Sequence, residues 1–210
     1  MGKFVLKEIS KIISQQEFTV GTAVETGTLL GSTTNLMSTI FKTVHTIEIS
    51  QELYEKAICN FRTQQNIICH FGDSSKVLTQ IIKLICEPCL FYLDAHWSGD
   101  KTVQWNLSSW KGYGRINTGC RNSDPSCSQN QVPLEEEIRC ICKYFRYPCI
   151  IYIDDMDKFG EDGKGLINKN FQGEDWSHLD KQRLLKCMST RKIAEYEITD
   201  QLIVVLKGLI

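Results

Sequence analysis

The period of apolar positions switches repeatedly between about two and about 3.6 along the chain, and the switches set out strands alternating with helices. Residues 5–15 carry apolar side chains at helical spacing. Phe18–Val20 and Thr22–Glu25 read as one strand, and 32–41 as a helix. Strands over Val44–Ile49, Asn66–Phe71, Cys89–Asp94 and Cys149–Asp154 follow, separated by helices over Gln51–Arg62, Ser75–Ile85 and Pro133–Phe145. Cys89–Asp94 and Cys149–Asp154 are nearly continuous apolar runs, as expected of strands covered on both faces. A helix over Trp176–Ser189 precedes two strands, Lys192–Ile198 and Gln201–Leu206, joined by the short turn Thr199-Asp200.

This order predicts an α/β fold: a seven-stranded, mostly parallel sheet with helices on both faces. The final connection is too short for a crossover, so the last two strands are antiparallel neighbours. The antiparallel strand is expected at the end of the sheet. With no internal repeat or low-complexity tract in 210 residues, a single domain over 1–210 is expected. Periodicity lapses between Trp97 and Val132, a stretch that reads as a substrate lid or insertion.

Ligands of such sheets bind at the carboxyl ends of the strands. The first strand runs into Glu25-Thr-Gly-Thr-Leu-Leu-Gly31-Ser-Thr-Thr34. Gly27 suits a sharp turn with bare backbone, Gly31 suits close packing of the next helix, and Ser32, Thr33 and Thr34 suit its cap. Glu48, ending the second strand, stands where a carboxylate accepts from ribose hydroxyls. Gly72-Asp73-Ser74 ends the third strand, where a carboxylate and a backbone amide can read an adenine edge. Glu25 occupies the first glycine position of a dinucleotide fingerprint, which disfavours a pyrophosphate and hence an NAD-dependent oxidoreductase.

Strand four ends in Asp94-Ala-His96-Trp97, and strand five in Asp154-Asp155. Carboxylates gathered at one edge repel one another unless a cation neutralises them. An all-oxygen set suits Mg²⁺, with Mn²⁺ or Ca²⁺ as alternatives.

Charge narrows the partners. Lys and Arg number 24 against 25 Asp and Glu, a net −1, so nucleic acid and anionic membranes are not expected as partners. No apolar run approaches the length of a membrane span, and the first ten residues resemble no signal peptide, so a cytoplasmic location is expected. Most of the 10 cysteines, among them Cys59, Cys69, Cys140, Cys142, Cys149 and Cys187, lie in apolar segments and read as small buried hydrophobes. The richness in Ile, Lys, Asn and Cys hints at an AT-rich source such as a large DNA virus, which would place the chain in host cytoplasm.

The Glu25–Gly31 loop, Glu48, Gly72-Asp73 and the terminal strand pair together resemble the class I S-adenosylmethionine-dependent methyltransferases, with their Rossmann-like fold, from about residue 18 onward. The resemblance implies S-adenosyl-L-methionine as cofactor, held by Glu25, Thr26, Gly27, Thr28, Gly31, Ser32, Thr33, Glu48, Ile49, Gly72, Asp73, Ser74 and Asp94. The acids after strands four and five are similar to those of the metal-dependent sugar O-methyltransferases, the macrocin and rhamnosyl O-methyltransferase-like branch. That similarity implies a divalent cation on Asp94, Asp154 and Asp155, with His96 as general base where relatives carry a carboxylate. The implied activity is O-methylation of a sugar hydroxyl, for example on a deoxysugar such as rhamnose in a glycan or glycoside.

Trp97, Trp105, Trp110, Tyr113 and Arg115 in the long loop suit a sugar ring, and equally a homodimer contact. Fusion to other glycan-processing domains is a further arrangement. Methylation of a catechol-like small molecule is one alternative, and a catalytically silent binding protein of the same fold is another.

Overall fold

The computed structural model describes residues 4–95, 132–160, 176 and 178–209. One seven-stranded sheet organises them, in the order β3-β2-β1-β4-β5-β7-β6. The strands are β1 (Thr22–Thr26), β2 (Thr43–Glu48), β3 (Ile67–Phe71), β4 (Cys89–Leu93), β5 (Cys149–Ile153), β6 (Lys192–Ile198) and β7 (Gln201–Leu206). The helices are α1 (Leu6–Ser14), α2 (Ser32–Met37), α3 (Gln51–Phe61), α4 (Ser74–Ile81), α5 (Leu134–Tyr144) and α6 (Lys181–Met188). A short 3-10 turn, Met156–Lys158, follows β5. No helix among the described residues is long and apolar enough to cross a membrane.

Strands β1 to β5 are mutually parallel; β7 is antiparallel to both β5 and β6. The antiparallel strand therefore lies second from the edge, not at the end of the sheet. The two-residue turn carries the chain from edge strand β6 back into the slot beside β5, pairing Ile153 with Leu202. Helix boundaries also differ. Helix α4 stops at Ile81, and α6 begins at Lys181, where Asp180 Oδ1 accepts from the Arg183 amide at 2.7 Å. Phe18–Val20 precedes β1 without joining it.

Alternation of side chains across the sheet gives two cores. Val24, Ile47, Phe91, Leu93, Ile151 and Val204 pack with Leu78 of α4, Ile138 and Ile141 of α5 and Leu184 of α6. Ala23, Val44, Leu90, Tyr92, Tyr152 and Ile203 pack on the opposite side with Ile9 and Ile12 of α1 and Met37 of α2. Eight described cysteines are free thiols; Cys140 and Cys149 are buried as expected, Cys69, Cys142 and Cys187 are half-buried, and Cys59 is exposed, on the solvent side of α3.

Beside edge strand β3 the sheet carries a polar pair: His45 Nδ1 of β2 lies 2.9 Å from His70 Nε2 of β3, with the rings stacked. Burial and the neighbouring His70 push His45 down to about 4, and burial also pushes His70 down. His45 is therefore neutral in the folded protein at pH 6, while an unfolded histidine titrates near 6.5. The unfolded chain thus binds more protons below pH 6.5, so stability falls as pH drops from 6.5 towards 4. The contribution of His45 is at most about 3 kcal/mol. Denaturant unfolding of His45→Gln at pH 7 and pH 4.5 is expected to show a shallower loss than the wild type; equal losses would sink this account.

Candidate active site at the carboxyl edge of the sheet

The loop after β1 is shaped by backbone that only glycine tolerates. Gly27 (φ +88°) donates to Ile47 O at 3.0 Å, and a Cβ on it would lie 2.9 Å from Asp94 O. Gly31 (φ +77°) is the N-cap of α2, and a Cβ there would overlap the Phe61 ring. The first turn of α2 has no side-chain cap, contrary to the expectation for Ser32, Thr33 and Thr34. Thr34 is drawn inward instead, because a buried carboxylate needs its hydroxyl. Ser32 is exposed and Thr33 half-buried.

That carboxylate is Glu25, 1% exposed, whose Oε2 accepts from Thr34 Oγ1 at 2.5 Å and Thr46 Oγ1 at 2.7 Å. Thr28 Oγ1 also lies 2.6 Å from Thr46 Oγ1. Glu25 therefore ties the loop and α2 to β2 from below. Desolvation outweighs the two hydroxyl donors and raises its pKa to about 8.

Glu48 is likewise buried, with Oε2 accepting from the Leu29 amide and Oε1 from the Ser50 amide, both at 2.8 Å. Burial raises its pKa against these amide bonds. A carboxylate has more acceptor sites than these amides fill, so the fixed group suits a ligand hydroxyl. Ile49 beside it is half-buried.

At the end of β3, Gly72 (φ +135°) turns the chain, and Asp73 caps α4. Asp73 Oδ1 accepts from Ser75 N at 3.0 Å and Ser75 Oγ at 2.7 Å. Its Oδ2 lies 3.2 Å from the exposed Lys76 ammonium without hydrogen-bond geometry. Bare glycine backbone, a fixed acidic hydroxyl acceptor and a capping acid fit the ribose and adenine of an adenosyl group.

The second half of the edge is a phenol-linked acid cluster. Tyr92 OH donates to Asp154 Oδ2 at 2.6 Å and lies 3.3 Å from Asp94 Oδ2. Asp154 Oδ1 accepts from Asp155 N at 3.0 Å and Gln201 Nε2 at 3.3 Å. Gln201 Oε1 in turn accepts from Tyr152 OH at 2.5 Å. Burial is the first cause of the raised Asp154 pKa, and burial beside Asp94 and Asp154 keeps Tyr92 protonated far above its usual range.

Among the described residues, the carboxylates of Asp154, Asp155 and Asp200 lie within 4.8 Å of one another; Asp94 stands outside this triad, joined to it through Tyr92. Asp200 was not anticipated. The position of β7 beside β5 puts the β6–β7 turn against the end of β5, and Met156 N donates to Asp200 O at 2.7 Å. The all-oxygen donor set fits a hard divalent cation. Lys158 Nζ, however, lies 2.6 Å from Asp155 Oδ2 and already supplies one positive charge.

Asp155 adopts φ +59°, a strained geometry for a residue with a Cβ, at a strand end where function concentrates such strain. His96, Trp97, Trp105, Trp110, Tyr113 and Arg115 lie outside the described residues. Glu137 was missed. It is wholly buried on α5, within 3.4 Å of Thr26 Oγ1, in a segment whose three consecutive acids stand at a helix start.

A carboxyl group whose folded pKa is raised contributes stability that is full below its unfolded value and lost as pH rises to the folded value. For Glu25 that window runs from 4.5 to about 8. Glu25→Gln is expected to lose less stability than the wild type between pH 5 and pH 8, by up to about 4 kcal/mol. Paired unfolding curves at the two pH values check this, and parallel losses would refute it.

No family model matches the chain, and no curated protein sequence is similar to it. Solved structures are similar in fold. A provisionally assigned caffeoyl-CoA O-methyltransferase from Staphylococcus aureus is 15% identical with a TM-score of 0.59, covering 99% of this chain and 86% of that one. An O-methyltransferase from Bacillus cereus, solved with S-adenosylhomocysteine, is 15% identical with a TM-score of 0.54, covering 98% and 83%. The N-methyltransferase NodS from Bradyrhizobium japonicum WM9 is 9% identical with a TM-score of 0.50, covering 97% and 94%. These identities establish the architecture and nothing finer: the chain has the Rossmann-like fold of the class I S-adenosylmethionine-dependent methyltransferases.

Proposed function

We propose that the chain is an S-adenosylmethionine-dependent O-methyltransferase that acts on a sugar hydroxyl with the help of a divalent cation. The observation that carries this reading is the adjacency of two sites on one sheet edge. The adenosyl-shaped set of Gly27, Glu48 and Asp73 stands at the ends of β1, β2 and β3, and the acid set of Asp94, Asp154, Asp155 and Asp200 stands just past β4 and β5 and in the β6–β7 turn.

When bound, S-adenosylmethionine supplies an electrophilic methyl group. Glu48 would accept from the ribose hydroxyls, and Asp73 would hold the purine edge. Asp154 and Asp155, with Asp94 or Asp200, would hold Mg²⁺, whose charge lowers the pKa of a coordinated sugar hydroxyl. His96, two residues past Asp94 in sequence, would take the hydroxyl proton, as an imidazole suits near neutral pH. The fold relatives that are O-methyltransferases support this direction of chemistry, and the all-oxygen donor set supports the cation.

The Lys158–Asp155 contact favours a second reading, in which the lysine is the counter-cation and methyl transfer proceeds without metal. Calorimetric titration with S-adenosylhomocysteine in EDTA, then in Mg²⁺ with a panel of deoxysugar glycosides, separates the two. The first reading expects cofactor binding throughout and sugar binding only with metal. Cofactor and sugar binding indifferent to metal would favour Lys158, and no cofactor binding would overturn both readings. Asp154→Asn is expected to cut turnover at least 100-fold while S-adenosylhomocysteine affinity stays within threefold; an unchanged rate would remove the acid cluster from the reaction.

A further inference from the structure

Glu137 is a buried acid that the proposed chemistry does not use. It lies on the buried face of α5, between Leu134, Ile138 and Ile141, with no accessible surface. Its Oε2 is 3.4 Å from the hydroxyl of Thr26, the last residue of β1 and the residue before Gly27. The Ser74 side chain, at the first residue of α4 and directly after Asp73, faces its carboxyl group from the other side of the interface and lowers its pKa. The remaining oxygen, Oε1, has no hydrogen-bond partner. A carboxyl group in an apolar helix interface is costly unless it does something an aliphatic side chain could not. What it does here is geometric: one side chain meets the hydroxyl that ends β1 and the hydroxyl that starts α4, and both flank loops of the adenosyl half of the edge.

We propose that Glu137 is a positioning residue that locks the end of β1 to the start of α4, fixing the distance between the Gly27 loop and the Asp73 cap. The lock is a property of the chain by itself; only its effect on cofactor affinity rests on the function proposed above. A neutral carboxyl group fits the lock, because burial raises the pKa of Glu137 to about 8 in spite of the two hydroxyls. Asp73 at the start of α4, and Glu136 on α5 itself, push in the same direction, and the Cys140 thiol on α5 faces it as well. Above pH 8 an ionised Glu137 would sit unsolvated beside Asp73, so the interface is expected to loosen there. Glu25, under the same β1 loop but bonded to Thr34 and Thr46, titrates in the same range and is the necessary control.

The test is amide hydrogen exchange of residues 26–29 and 72–75 between pH 7 and pH 9.5, with rates corrected for intrinsic pH dependence, alongside S-adenosylhomocysteine titration. In the wild type, protection of both segments is expected to fall together above pH 8, by about tenfold. In Glu137→Gln the amide keeps the shape and a neutral charge, and the fall is expected to vanish; in Glu25→Gln it is expected to persist. Glu137→Ala is expected to lose protection of both segments already at pH 7 and to bind S-adenosylhomocysteine at least tenfold more weakly, with Glu137→Gln within threefold of the wild type. A pH-dependent fall that survives in Glu137→Gln, or Glu137→Ala protection equal to the wild type in these segments, would overturn the lock. A wild type that binds no S-adenosylhomocysteine would overturn the proposed function, while the exchange rates still decide on Glu137.

Discussion

The carboxyl edge of this sheet is built on buried acids, and their need for donors determines most of what surrounds them. Glu25, Glu48, Glu137 and Asp154 are all at least nine-tenths buried. Removing a carboxylate from water costs several kcal/mol unless protons or positive charge replace the lost hydration. Here the replacements are chiefly hydroxyls and backbone amides: two threonines on Glu25, two amides on Glu48, a tyrosine, an amide and a glutamine on Asp154. Such partners are directional, so each acid fixes the orientation of the elements that serve it. Glu25 explains why Thr34 abandons the cap of α2, and Glu48 explains why Leu29 is held at φ +49° with its amide turned towards β2.

Topology does the rest. A sheet of parallel strands alone would leave β5 with a neighbour running the same way and its carboxyl end flanked only by other carboxyl ends. Insertion of β7 in the opposite direction brings the start of a strand to that place, and with it Gln201 and the turn residue Asp200. Gln201 then links Tyr152 to Asp154, and Tyr92 links Asp154 to Asp94. The side chains at the ends of β4, β5 and β7 thereby form one hydrogen-bonded chain, and a change at any member reorients the next.

The strands and helices were legible in the sequence because apolar period and chain punctuation are local signals, and the loop glycines were legible because turns impose residue type. The destinations of the acids were not. Glu25 reads in sequence as a group facing a ligand, and Asp94 as a neighbour of Asp155, because strand ends identify an edge without saying which way a carboxylate turns at it. Asp200 was hidden by the assumption that the antiparallel strand lies at the sheet end. Glu137 was hidden by its neighbours: Glu135, Glu136 and Glu137 complement a helix dipole as a group. Only the period of Leu134, Ile138 and Ile141 marks the third acid as facing inward. That signal was present, and charge at the helix start outweighed it.

The protonation state of these acids bears on how such an edge could work. A fixed carboxylate beside a cationic methyl donor would stabilise the ground state more than a transition state in which that charge is dispersing, and so would slow the step. Glu25 and Glu137, with pKa values raised to about 8, can serve as rigid hydrogen-bonding struts at neutral pH without adding that charge. At the neighbouring strand end a positive charge faces the acids directly, because Lys158 Nζ lies 2.6 Å from Asp155 Oδ2. Desolvation is the first cause of the raised pKa at Glu25, Glu137 and Asp154 alike, so the same force that makes these acids demand donors also holds down the negative charge they would otherwise add to the edge.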